Sequence, residues 1–167
     1  MNFARDILPL KNAIFRTALR IVLSRDEAED IVQDTMLKLW ERREQIAEVQ
    51  NLEAFAVTMA RNLARDRVAL HSSQNVSFDE ALHDRADEWQ QNADEQMIQN
   101  EEVRRIEKLI NALPEVQRTI LHLRDVEGHT YKEIAQIMDM SETNVKVTLF
   151  RARGVLREAL EKQNYYG

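Results

Sequence analysis

The 167-residue chain has no cysteine, only three glycines and two prolines, and few aromatic residues. Without cysteine it can form neither a disulfide nor a thiolate metal site, which is compatible with a reducing compartment. The scarcity of helix-breaking residues, together with abundant Ala, Leu, Glu and Arg, predicts an all-α protein. The sequence has no apolar run long enough to span a membrane and no signal-peptide pattern at its start. We therefore expect a cytoplasmic protein without membrane insertion.

The net charge of −6 is unevenly distributed along the chain. Residues 1–70 carry equal numbers of acidic and basic side chains, residues 71–102 carry nine acids against Arg85 alone, and residues 103–167 have a small basic excess. The middle segment is polar, lacks sustained helical periodicity and has Phe78, Leu82 and Trp89 as isolated apolar residues. This pattern predicts two small helical domains, 1–70 and 103–167, joined by an acidic linker at 71–102.

The pattern of the first segment predicts three or four helices, including ones from Phe3 to about Leu23, from Asp26 to about Arg43, and from Asn51 to about Leu70. Ser24 is placed to begin the second helix, with Glu27 as its capping-box partner. The acids in the first turns of that helix suit its dipole, and no histidine or calcium-binding loop accompanies them, so we expect no metal. On the third helix, Arg61, Asn62 and Arg65 form a basic face that either contacts a partner or is simply solvated.

The last segment contains the pattern of a helix-turn-helix, Tyr131–Met138 followed by a second helix that begins after Ser141. Ser141 is suited to cap that helix, and an apolar stripe of Val145, Leu149, Ala152 and Leu156 predicts its buried side. Such a second helix can enter a DNA major groove, where polar and basic side chains reach base edges and phosphates. The residues expected to face DNA are Ser141, Thr143, Asn144, Lys146, Val147, Phe150, Arg151 and Arg153.

Two stretches resemble a known family. Asp26-Glu-Ala-Glu-Asp-Ile-Val-Gln-Asp-Thr-Met-Leu-Lys-Leu-Trp40 resembles the second conserved region of extracytoplasmic-function sigma factors, group 4 of the sigma-70 family. Leu113-Pro-Glu-Val-Gln-Arg118 through Phe150-Arg-Ala-Arg153 resembles their fourth region. The two motifs occur in the family's order and cover most of the chain outside the acidic segment. Glu142 and Thr148 depart from the family's usual residue types in the second helix of the helix-turn-helix.

The resemblance implies a subunit of RNA polymerase that directs the core enzyme to promoters. Its implied partners are the β′ clamp helices and β flap of the core and promoter DNA, with an anti-sigma factor as a further candidate partner. The implied polymerase contacts are Asp30, Gln33, Asp34 and Leu37, and the implied −10 contacts are Asn51, Arg61, Asn62 and Arg65. The implied −35 contacts lie on the second helix of the helix-turn-helix, with Arg118, Arg124 and Lys132 as further phosphate contacts.

Three other classes of protein are weighed against this one: a regulator, a scaffold and an enzyme. An ordinary helix-turn-helix regulator would bind its operator without polymerase, and a helical scaffold would account for the apolar stripes. Enzyme activity is not expected, because the four histidines are scattered and the sequence has no zinc-protease, phosphate-binding-loop or nucleophile-elbow motif. No cofactor is expected either.

Overall fold

The computed structural model of the chain describes residues 1–73 and 100–166, which are helical with no β-strand in either range. The prediction of an all-α protein is confirmed. Most of the acidic segment, with Phe78, Leu82 and Trp89, lies outside the described residues.

The N-terminal half consists of helices α1 (Lys11–Val22), α2 (Arg25–Glu41) and α3 (Leu52–Ser73). A π-helical turn at Phe3–Ile7 and a 3₁₀ turn at Leu8–Leu10 precede α1. The prediction of one helix from Phe3 onward is therefore wrong over its first turns. Pro9 causes this irregularity. It has no backbone N–H to donate, and its ring would clash with a carbonyl of the preceding turn in a regular α-helix.

The turn between α1 and α2 folds the chain back on itself. Leu23 ends α1 in the left-handed conformation, with a φ of 57°. Ser24 then begins α2 as predicted, and its hydroxyl accepts the N–H of Glu27. The Glu27 carboxylate bonds the ring of His71, which ties the start of α2 to the end of α3. The core between the three helices is built from Ile7, Ile14, Ala18, Ile21, Ile31, Leu39 and Ala60.

The C-terminal half consists of α4 (Glu101–Asn111), α5 (Glu115–Leu121), a π-helical turn (His122–Val126), α6 (Tyr131–Met138) and α7 (Glu142–Tyr166). Helices α6 and α7 form the predicted helix-turn-helix. Their connection is tight because Asp139 adopts the left-handed conformation, with a φ of 52°. The core of this half contains Ile120, Leu123, Ile134, Ile137, Val145 and Leu149.

The two halves are packed against each other. Helix α1 lies against α5, and α3 lies against α6. Val57 of α3 is completely buried and belongs to the core of the C-terminal half. Across the described ranges, the helices are too short or too polar to cross a membrane.

Candidate nucleic-acid interface

Helix α7 presents one polar and one buried side. The Ser141 hydroxyl accepts the N–H of Asn144 at 3.1 Å, which confirms its role as the N-cap. Val145, Leu149 and Ala152 are buried as predicted, and this fixes the rotation of the helix about its axis. The outward side carries residues that are all exposed, namely Thr143, Asn144, Lys146, Val147, Phe150 and Arg151.

Phe150 is the most unusual residue on this outward side, because 78% of it is exposed. A phenylalanine in that position loses the free energy that burial would provide, about 2 kcal/mol for a large apolar side chain. It stands beside Val147, which is 40% exposed. Two apolar side chains between the cations Lys146 and Arg151 give this face the mixed chemistry that contacts both thymine methyl groups and polar base edges.

The ring of Tyr131 organises the cations beside α7. The Arg124 guanidinium lies 4.4 Å from the ring centroid, and the Lys146 ammonium lies 5.4 Å from it. Arg124 also donates to the backbone carbonyl of His129 at 2.9 Å. The sequence analysis assigned no role to Tyr131. The signal that could have identified it was an aromatic residue at the start of α6, between Arg124 and Lys146 in the sequence. The ring restricts these two flexible cations to the edge of α7.

Arg153 and Lys132 differ in how freely their charges are available. Arg153 forms a two-pronged ion pair with Asp125, with distances of 2.6 and 3.2 Å, and this bond raises the pKa of the guanidinium. A phosphate would therefore have to share Arg153 with Asp125. Lys132, in contrast, is exposed on α6.

The structure places Arg118 where DNA cannot reach it in this arrangement. The side chain is completely buried, and burial lowers the pKa of its guanidinium to about 10. It donates to the carbonyls of Arg20 at 2.6 Å, Ile21 at 2.8 Å and Leu113 at 2.9 Å. The first two are among the last carbonyls of α1, which lack partners within their own helix. The expected phosphate contact is thus replaced by a bond that joins the two halves.

Arg118 is the centre of a larger polar network between the halves. The buried Arg20 of α1 donates to His122 Nδ1 at 3.0 Å, to Asn111 at 2.9 Å and to the Glu107 carboxylate at 2.7 Å. Burial lowers the pKa of His122, and its Nδ1 accepts the hydrogen bond from Arg20. Charged donors and their acceptors are paired here across the interface, which limits the cost of burying them.

A second ion pair lies beside this network. Arg16 of α1 binds both carboxylate oxygens of Glu127 at 2.8 Å. His122 Nε2 is 3.0 Å from the same carboxylate, although its N–H is not aligned for a regular hydrogen bond. Burial alone would raise the pKa of Glu127, but its contacts with Arg16 and His122 outweigh this effect and lower the pKa to about 2.

The four predicted −10 contacts lie on or beside α3, in different environments. Asn51 caps this helix by accepting the Ala54 N–H at 3.0 Å, and its amide donates to Glu133 of α6 at 2.9 Å. Arg61 is only 6% exposed, and desolvation lowers the pKa of its guanidinium. Asn62 and Arg65 are exposed.

Glu133 has several roles in this region. Its carboxylate completes a capping box with Thr130 at the start of α6, which sequence reasoning did not identify. Hydrogen bonds from His129, the Thr130 backbone and Asn51 lower the pKa of Glu133 to about 2, against a smaller opposing effect of burial. This carboxylate therefore stays charged while it holds Asn51.

The predicted polymerase contacts form a continuous row on α2. Asp30, Gln33, Asp34 and Leu37 are all exposed and follow the three- and four-residue spacing of one helical face. Leu37 is 60% exposed. Arg67 of α3 lies 3.6 Å from Asp30 and 3.7 Å from Asp34, so it partly neutralises the acidic end of the row.

Comparison with known proteins gives the class to which this arrangement belongs. Residues 7–73 match the family described as Sigma-70 region 2, and residues 103–156 match the family described as Sigma-70, region 4. The RNA polymerase sigma-H factor of Pseudomonas aeruginosa is 30% identical over 172 residues, covering 95% of this chain and 86% of that protein. The probable RNA polymerase sigma factor RfaY of Xanthomonas campestris is 32% identical over 163 residues, covering 95% of this chain but only 40% of that protein.

Two solved structures share the fold. One is a co-crystal structure of the sigma factor RpoE with the anti-sigma factor NepR from Bartonella quintana, with 24% identity, a TM-score of 0.73, and coverage of 95% of this chain and 96% of that one. The other is CnrH in complex with the cytosolic domain of CnrY, with 17% identity, a TM-score of 0.66, and coverage of 96% of this chain and 88% of that one. The family matches and the relatives together define a bacterial transcription initiation factor. The chain belongs to the sigma-70 family, as an RNA polymerase sigma factor of the extracytoplasmic-function type.

Proposed function

We propose that this sigma factor docks on core RNA polymerase through the exposed row on α2 and reads the −35 element with the outward side of α7. The observation that carries the −35 assignment is the exposed group of Lys146, Val147, Phe150 and Arg151 on a helix whose opposite side is buried. The −10 element is then read by α3 and the residue that caps it, through Asn51, Arg61, Asn62 and Arg65. The halves at 1–70 and 103–167 act as the two DNA-reading domains.

The row on α2 supports docking to the basic surface of a polymerase coiled coil. Two carboxylates and an amide beside the exposed Leu37 combine charge complementarity with an apolar contact, which together orient and hold a partner. The family resemblance also implies that the C-terminal half contacts the β flap of the core. The chain itself supplies binding free energy and no catalysis, and we place it in the cytoplasm with the polymerase and the promoter DNA.

Control by an anti-sigma factor is part of the proposal. The two solved structures that share this fold were each determined with another protein bound, the anti-sigma factor NepR in one case and the cytosolic domain of CnrY in the other. A protein of that kind would act by holding one or both DNA-reading faces away from the promoter.

The decisive experiment is run-off transcription from a genomic promoter library, with core RNA polymerase in the presence and absence of the protein. We expect discrete start sites that depend on the protein and share −35 and −10 elements. Tight operator binding by the protein alone, without stimulation of transcription, would instead favour an ordinary helix-turn-helix regulator.

The −35 assignment is tested with Arg151→Ala, and Lys162→Ala at the far end of α7 serves as the matched control. Loss of one base or phosphate contact should weaken use of the −35 element by about tenfold, equivalent to roughly 1–2 kcal/mol. Binding to core polymerase should be unchanged in both variants. Equal transcription by the Arg151→Ala protein and its parent across −35 variants would remove Arg151 from the set of contacts.

A further inference from the structure

Three cationic side chains from different parts of the C-terminal half meet at one edge of the helix-turn-helix. Lys146 and Arg153 lie about two turns apart on α7 and therefore share one side of that helix. Arg124 comes from the π-helical turn before α6, and it lies over the same Tyr131 ring as Lys146. Arg153 belongs to this group because its hydrogen bonds to Asp125 and Tyr131 raise the pKa of its guanidinium. The three cations form what we call the edge cluster, which attracts anions such as DNA phosphates.

Asp125 places a carboxylate inside the edge cluster. Its two oxygens accept from Arg153 Nε at 3.2 Å and from a terminal guanidinium nitrogen of Arg153 at 2.6 Å. Arginine binds a phosphate group through the same two-pronged geometry. The Asp125 carboxylate therefore occupies, on Arg153, the position that two oxygens of a DNA phosphate would take.

The stability of the fold gives little reason for this ion pair. The side chains of Arg153 and Asp125 are 44% and 39% exposed, and ion pairs between groups of such exposure contribute little to stability. The turn that carries Asp125 is held by other contacts, since Leu123 is completely buried and its carbonyl accepts the His129 N–H at 2.9 Å. The Asp125 carboxylate can therefore be replaced without loss of the surrounding structure.

The charge of Arg153 matters because few basic residues are in excess here. Binding of a protein to DNA of any sequence comes from cations that neutralise phosphates. Residues 103–167 have only a small excess of basic over acidic side chains. One cation that is held or released therefore changes the affinity of this half for the DNA backbone appreciably.

We propose that Asp125 limits the affinity of the C-terminal half for DNA of any sequence, because it holds Arg153 in the place of a backbone phosphate. When the −35 duplex binds, a phosphate displaces the carboxylate and accepts from the same two donors of Arg153. Displacing Asp125 uses part of the free energy of that phosphate contact, whereas the base contacts of the outward side of α7 are unaffected. Asp125 is thus a positioning residue that acts on DNA through Arg153. This inference rests on the proposed −35 role of α7.

The proposal is tested with Asp125→Asn, which removes the charge and keeps the size of the side chain. Glu102→Gln is the matched control, because it removes the same charge from an exposed position on α4 of the same half, outside the assigned contacts. Fluorescence anisotropy is measured with the full-length protein over a range of salt concentrations. The probes are a −35 duplex from a promoter mapped by run-off transcription and a duplex of scrambled sequence and equal length.

We expect Asp125→Asn to bind both duplexes at least about threefold more tightly than the parent at low salt. The slope of log affinity against log salt should steepen by about 0.9, as for one additional phosphate contact. Glu102→Gln should match the parent, and so should Asp125→Glu, which restores the carboxylate. Unchanged affinity and salt slope of Asp125→Asn on both duplexes would overturn the inference.

A double-variant cycle shows whether Asp125 acts through Arg153. In the Arg153→Gln background, Asp125→Asn should give less than about half of the gain that it gives in the parent, on a logarithmic scale. An equal gain in both backgrounds would reveal a general effect of charge and would contradict the role of Arg153.

Binding to core polymerase is measured with the same variants, because Asp125 and Arg153 also line a cleft of about 500 Å³ between α4 and α7. Altered binding to the core with unchanged affinity for both duplexes would assign the ion pair to this cleft and overturn the inference. Absence of protein-dependent transcription by the parent would instead contradict the proposed function. The scrambled duplex would then still report whether Asp125 limits binding to DNA.

Discussion

Replacing Arg118 by alanine should destabilise the whole protein, because this guanidinium connects the two halves. The side chain has no exposed surface and donates to carbonyls of Arg20, Ile21 and Leu113 at 2.6 to 2.9 Å. The alanine variant would leave these buried acceptors without donors and would open a cavity in the interface. The resemblance instead implied a phosphate contact on the protein surface for Arg118.

The expected size of the effect follows from those contacts. A hydrogen bond from a charged donor contributes about 1.5–3 kcal/mol, but the cost of burying a guanidinium offsets part of this contribution. Arg118→Ala leaves neutral carbonyl acceptors unsatisfied, which costs about 1–3 kcal/mol for each buried group, and we expect a total loss of about 3–5 kcal/mol. Arg118→Lys keeps the charge but not the planar fork, and should lose about half as much. A total stability of about 5–15 kcal/mol would be substantially reduced.

The measurement is urea unfolding followed by far-UV circular dichroism, with Arg105→Ala as the control. Arg105 is exposed on α4 in the same half, and its replacement should change the free energy of unfolding by less than about 0.5 kcal/mol. Arg118→Ala should also separate the transitions of the two halves, which would appear as a smaller denaturant slope. An Arg118→Ala protein within about 1 kcal/mol of its parent would refute the assignment of Arg118 as the link between the halves.

Three further predictions follow from the same geometry. The pKa of Glu127 lies at about 2 in the folded protein, against an ordinary value of 4.5. The contribution of this carboxylate to the free energy of unfolding is therefore fully present above pH 4.5 and is lost as the pH falls toward 2. Urea titrations over this range should show that loss, and Glu127→Gln should show a weaker pH dependence. Tyr131→Phe should retain −35 binding, because its ring face still holds Arg124 and Lys146. Tyr131→Leu should lose −35 affinity, and the affinity that remains should depend less on salt concentration. Equal salt dependence of −35 affinity in both variants would contradict this role of the ring. Charge reversal at Asp30 and Asp34 should weaken binding to core polymerase with unchanged circular dichroism, and unchanged affinity would count against the docking row.

Local sequence patterns were sufficient to predict much of the fold. Apolar spacing located the helices, and Ser24 and Ser141 marked the starts of α2 and α7 as their N-caps. The exposed side of α7 was also predictable, since burial of Val145, Leu149 and Ala152 fixes which residues face outward. These features depend on residues within a few positions of one another. The irregular start of the chain at Pro9 is the exception. Helical periodicity continues through this residue and predicts an α-helix, but Pro9 has no backbone N–H to donate.

The sequence by itself determined the helices, the helix-turn-helix and the family, because each is encoded by local periodicity, capping residues or a contiguous motif. Only the tertiary structure decided which polar residues face solvent. Arg118 has the sequence context of a surface arginine, yet two of its acceptors lie 97 and 98 positions away on α1. Asn51 is likewise joined to Glu133 across 82 positions. Pairings of this kind depend on how two domains meet, and no local pattern of amino acids specifies that contact.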